Sequence, residues 1–232
     1  MEGVVSMRVP KVETYKDAPI RHVSIQKPII IPRFPVITND KQRDKVIKQI
    51  ERYCRASLEY KDLIKYLREN VDMNECTFFS GFKAGKRKGM IQIHHAPFDL
   101  YSLVSIVMKK QEEEKGYINE LEIVDEVMFL HYSGLVGLIP LSVTVHELVH
   151  DGKLIVPLNC VYGRFVEFTE RYFNWIDDDM MVMLNENIEL TRHLTKKDLS
   201  ILNVSFVYTD VDGYNLPKKL EVDDVKLDVE VA

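Results

Sequence analysis

Two pairs of histidines constrain this chain more than any other feature of its 232 residues. His94 and His95 close a short apolar run, Met90-Ile91-Gln92-Ile93. His146 and His150 stand four residues apart in Val145-His146-Glu147-Leu148-Val149-His150-Asp151-Gly152. Side chains at i and i+4 share one face of a helix, so two imidazoles there reach a single cation. A strand end supplying a further histidine completes a site. A fold that uses these side chains together must set the end of the first segment against the helix of the second.

The segments around them read as follows. Residues 1–38 hold five of the nine prolines, Pro10, Pro19, Pro28, Pro32 and Pro35, with Ile29-Ile30-Ile31 as an apolar β-branched cluster. Proline lacks the amide proton and restricts its neighbour, so this segment is read as an extended arm rather than a helix. It packs on its own chain or on a neighbouring subunit. Asp40 to Asn70 is helical in pattern, as one helix or as two broken near Ala56-Ser57. Met90 to His95 reads as a strand. Pro97 starts a helix that runs on through Asp99, Leu100, Leu103, Val104 and Val107 and is ended by Gly116. Asn119 caps a second helix running to His131, with Gly134 as its break. Leu135 to Leu141 is an apolar extended run. Thr144 to Glu147 has the form of a capping box at the start of the helix bearing His146 and His150, and Gly152 ends it. Leu154-Ile155-Val156 reads as a short strand. Arg164 to Ile176 reads as an aromatic helix whose Phe165, Phe168, Tyr172 and Trp175 stripe belongs to the core. Asp177-Asp178-Asp179 fits a solvated helix terminus better than a metal site. Val204 to Val231 alternates in strand fashion around an Asp212-Gly213 turn and reads as a small β appendage.

Charge and cysteine content narrow the function. The formal net charge is -5, which excludes a protein that coats nucleic acid through its overall charge. A local basic patch is then needed for DNA contact. Gly81 to Gly89 offers one, with Lys83, Lys86, Arg87 and Lys88 directly before the strand that ends in His94-His95. It is either a phosphate-binding loop or a solvated hairpin turn. Cys54, Cys76 and Cys160 are scattered without paired spacing, as expected of free thiols in a reducing compartment. Residues 1–15 lack the apolar core of a signal peptide, and no apolar stretch approaches a membrane span. The expectation is a soluble protein of the cytoplasm or of a particle assembled there, with no membrane partner.

The order strand, His94-His95-Ala96-Pro97, insertion, Gly137-Leu138-Ile139-Pro140-Leu141, then a helix with His146 and His150 resembles the HNH, or ββα-metal, endonucleases. The resemblance covers roughly residues 90–156 and is nearest to the colicin-type arrangement. It implies an α+β fold: a ββα-metal domain over 76–195 with a helical insertion at 97–134. Residues 39–75 form a preceding helical segment and 196–232 the β appendage. It implies His94, His146 and His150 as ligands of one divalent ion (Mg²⁺, Mn²⁺, Ni²⁺ or Zn²⁺) and His95 as general base in cutting DNA. His131 is an auxiliary candidate, as a substitute brace or extra ligand, or else as a simple helix C-terminal cap.

The chain also departs from the family. Gly137 stands nine residues before His146, where the family has its middle Asn. Ser142 and Val145 occupy positions where many members carry knuckle cysteines, so a structural zinc knuckle is not expected. Neighbouring residues on a regular strand face opposite ways. Ligation by His94 with proton transfer by His95 therefore requires a twisted strand end. The alternative reading is a non-catalytic member of the fold, built into an assembly through residues 1–38. The chain also resembles proteins of large phages, which favours a phage particle or complex. His22 and His193 have no sequence partner and read as surface residues.

Overall fold

The helices follow from where the chain can satisfy its backbone. The computed structural model describes residues 35, 37–79, 84 and 90–193, all within one unit that begins at Pro35. The reading of residues 1–38 as an arm falls outside the described residues at 1–34 and 36, as do the readings of 196–232 as a β appendage and of Lys83, Lys86, Arg87 and Lys88 as a basic loop. Helix α1 (Asp40–Ala56) starts at Asn39, whose side chain accepts from the Gln42 amide. Helix α2 (Leu58–Asn70) follows after one residue. Ser57 is extended, with ψ 154°, and serves both helices. Its hydroxyl donates to the Cys54 carbonyl and accepts from the Tyr60 amide. The long helical pattern is thus two helices broken at Ser57.

Strand β1 (Ile91–His95) comes next, followed by α3 (Leu100–Lys115) and α4 (Glu120–Tyr132). Asp99 caps α3 by accepting from Ser102 N, so the helix starts three residues after Pro97 rather than on it. Gly116 ends α3 at φ 74°, a left-handed conformation that glycine adopts without strain. Asn119 caps α4 through the Leu121 and Glu122 amides. Strand β2 (Leu138–Ser142) returns antiparallel to β1, pairing Ile91 with Ser142, His94 with Ile139 and His95 with Leu138. Helix α5 (Val143–His150) begins directly where β2 ends. Its cap is Ser142, which accepts from Val145 N, and not the box expected at Thr144. After α5, residues 154–156 form no strand and line a cleft instead.

Helix α6 (Phe165–Tyr172) is shorter than the expected aromatic helix, because the chain tightens into a 3-10 turn at Phe173–Trp175. Helix α7 (Asp178–Arg192) was not anticipated in the sequence, although Leu184, Ile188 and Thr191 repeat on one buried face. Asp178 and Asp179 sit in its first turn, where carboxylates complement the helix dipole. Asp177 instead meets Lys109 at 2.8 Å.

The architecture is a mixed α+β one: seven α-helices and one two-stranded antiparallel sheet among the described residues. Helices α1, α3 and α4 pack on one another, and α5 packs on both strands. The core includes Ile47, Ile50, Val104, Val107, Ile123 and Val127, each at most 2% exposed. Phe168 is fully buried and stacks on Tyr172, so the aromatic stripe is core. No described helix is long and apolar enough to cross a membrane. Cys54, Cys76 and Cys160 are buried free thiols.

Candidate metal centre

The β1–β2 ribbon sets the site by alternation. Ile91, Ile93 and His95 lie on one face of β1, while Gln92 and His94 lie on the other. The His94 face meets α5. That helix is anchored by Ser142 at its start and by Val145, which is fully buried. His146 and His150 then fall on the adjacent strip of the same helix, beside His94. A ligand nitrogen from each of His94, His146 and His150 lies within 4.8 Å of the other two. The His94 ring is centred 5.0 Å from each helical ring, edge to face in both cases. His146 and His150 approach Nε2 to Nε2 at 3.3 Å.

The donor set fits a transition ion. Tetrahedral zinc with Zn–N bonds of about 2.0–2.1 Å holds its ligand nitrogens about 3.3–3.4 Å apart. The His146–His150 separation matches that edge. Three neutral nitrogens suit Zn²⁺ or Ni²⁺ far better than Mg²⁺, which takes oxygen ligands. Burial, then the neighbouring His146 and His150, push His94 down to about 4. Burial and His150 also lower His146. Imidazoles that resist protonation keep their lone pairs free for a cation. His150 is the last residue of α5, where the helix dipole favours positive charge. His94 is buried, His146 half-buried and His150 exposed, so the cluster opens toward solvent on its α5 side. His94 also walls a cleft of about 250 Å³ with Pro97, Val149, Leu154, Ile155 and Glu186.

His95 is placed elsewhere. It faces away from the triad, is 4% exposed, and meets His131 of α4 Nε2 to Nε2 at 2.9 Å. His131 Nδ1 lies 2.7 Å from the Val127 carbonyl oxygen. Tyr60 of α2 stacks on the His95 ring and meets His131 edge-on. The strand end therefore does not turn both neighbouring histidines toward one site. Burial, then His131, lowers His95 well below an ordinary histidine. His131 is buried inside the fold rather than capping the end of α4 in solvent.

Gly137 has its own physical reason. A Cβ there would lie 1.9 Å from the Ala96 carbonyl oxygen and 2.7 Å from Val161 Cγ1. The Ala96 amide donates to the Gly137 carbonyl at 3.0 Å, which holds the backbones together just past His95. Sequence reasoning missed Tyr60, whose place against the His95–His131 pair has no local signature. It also missed Cys76, whose Sγ accepts from Ser142 N at the start of α5.

The comparisons bear on the chain as a whole. No curated protein and no solved structure matches it significantly. The family model described as Bacteriophage G278-like virion protein matches residues 11–215. The match spans nearly the whole sequence, its histidine cluster included, and this chain belongs to the bacteriophage G278-like virion protein family.

Proposed function

We propose that this chain is a structural component of a phage particle whose ββα core is stapled by one transition-metal ion. The ion is held by His94, His146 and His150. The observation that carries the reading is the convergence of those three imidazoles from β1 and α5 in a chain of a virion-protein family. The succession of strand, strand and helix, with one strand-end histidine and two helical ones, supports an HNH-like core as the frame for that ion. The histidine next to the ligand is buried and engaged with His131, which supports a structural role for the metal over a hydrolytic one. The ion ties β1 to α5 across a sheet of only two strands, and metal binding that requires the fold adds its free energy to folding. Residues 1–38, with their prolines and Ile29-Ile30-Ile31, are the segment proposed to contact neighbouring subunits.

The test has two parts. Mass spectrometry of purified particles should find this chain at stoichiometric copy number. Elemental analysis of the purified protein should find about one zinc or nickel per chain, lost in His146→Ala. A chain absent from particles rejects the assembly role, and a metal content unchanged in His146→Ala rejects the site.

One observation favours a second reading. Three protein ligands leave a position open for a phosphate oxygen, and His150 is exposed at the surface. A metal-dependent endonuclease would then use the ion on DNA, with Lys83, Lys86, Arg87 and Lys88 beside the phosphates. That reading requires plasmid nicking with Mg²⁺, Mn²⁺, Ni²⁺ or Zn²⁺, abolished by His146→Ala.

A further inference from the structure

The second histidine pair has a determinate proton arrangement. A carbonyl oxygen only accepts, so His131 Nδ1–H donates to Val127 O. A neutral imidazole carries one proton, so His131 Nε2 is then an acceptor. His95 Nε2–H must supply the proton in the 2.9 Å contact. Both rings are buried, at 4% exposure each, and Tyr60 closes over them. The orientation of the His95 ring is thus fixed from α4, and the next residue back along β1 is the ligand His94. On a strand the two side chains project from one stiff backbone to opposite faces. Fixing the rotation of β1 on one face fixes where His94 points on the other.

We infer that His131 is a positioning residue for the metal cradle, acting through its hydrogen bond with His95 to hold β1 in the rotation that presents His94 to His146 and His150. The inference rests on the reading of those three residues as a metal site. It is the buried counterpart of the outer contacts that orient metal-binding histidines, whose loss costs on the order of 10–100-fold in metal affinity. The contact here is one step further out, passing through the strand rather than through a ligand ring. It also makes α4, and with it the insertion between the strands, part of what shapes the site.

The experiment titrates Co²⁺ into the full chain and reads both affinity and the visible ligand-field spectrum. His131→Leu keeps the volume but removes the acceptor for His95. His131→Gln restores an acceptor near the position of Nε2. The expected result is Co²⁺ binding weakened at least tenfold and an altered spectrum in His131→Leu, with both largely recovered in His131→Gln. Wild-type affinity and spectrum in a folded His131→Leu protein overturn the inference while leaving the metal site standing. Wild-type protein that binds no Co²⁺ rejects the metal site itself. If His131→Leu does not fold, the ¹⁵N spectrum of the wild-type histidines decides. A proton on His95 Nε2, and a His131→Gln protein that binds Co²⁺ within a few-fold of wild type, support the inference. A proton on His95 Nδ1 instead, or a folded His131→Gln protein that binds no better than a site lacking His94, overturns it.

Discussion

Replacing Gly137 by alanine adds one methyl group where two backbones already touch. The new carbon would sit 1.9 Å from the Ala96 carbonyl oxygen, and reaching even 3.0 Å requires a separation of about 1 Å. The obstructing atom is backbone, so no side-chain rotation relieves it. Movement there also stretches the bond from Ala96 N–H to the Gly137 carbonyl. Overpacking of a dense interior costs about 1–3 kcal/mol, and a weakened buried hydrogen bond adds about 1 kcal/mol. Gly137→Ala should therefore lose about 2–4 kcal/mol in equilibrium urea unfolding. Asparagine at this place should be worse because it adds a larger polar side chain to the same contact. A Gly137→Ala protein within about 0.5 kcal/mol of wild type would refute the close-approach argument.

Three further outcomes follow from other parts of the structure. Asp99→Ala removes the carboxylate that accepts from Ser102 N at the start of α3, and thermal unfolding should show a loss of about 1 kcal/mol. Burial holds His131 at about 4 against 6.5 for a free histidine. The unfolded chain therefore binds a proton that the folded chain refuses, and stability is fully present above pH 6.5 and lost as the pH falls toward 4. The loss attributable to this group is about 3 kcal/mol, and His131→Gln should flatten unfolding free energy across that pH window. Phe168→Ala empties a fully buried site beside Phe98 and Tyr172. It should cost about 3–5 kcal/mol in the same unfolding assay.

The readable parts of this fold were those governed by local rules. Spacing on one helix face placed His146 beside His150, and the Asn119 and Gly116 boundaries follow from capping chemistry that any short window contains. What escaped was set by contacts distant in sequence. Ser142 caps α5 because β2 delivers it there, its amide bonded to Cys76 Sγ, so the box at Thr144 had no role. Residues 154–156 are apolar and two of them, Ile155 and Val156, are β-branched, yet they line the cleft beside His94 instead of pairing as a strand. Helix α7 was obscured because half-buried and exposed Met180, Met181 and Met183 blur the contrast with buried Leu184 and Ile188. The His95–His131 contact joins two elements separated by a whole helix, and nothing local marks it.

Zinc K-edge X-ray absorption on the protein loaded with one equivalent of Zn²⁺ tests the central claim most directly. The account predicts scattering from three imidazoles with Zn–N distances of about 2.0–2.1 Å, replaced in His146→Ala, which releases the ion, by the oxygen scattering of hydrated Zn²⁺. A wild-type spectrum without imidazole scattering, or one unchanged in His146→Ala, would contradict the convergence of His94, His146 and His150 on one ion.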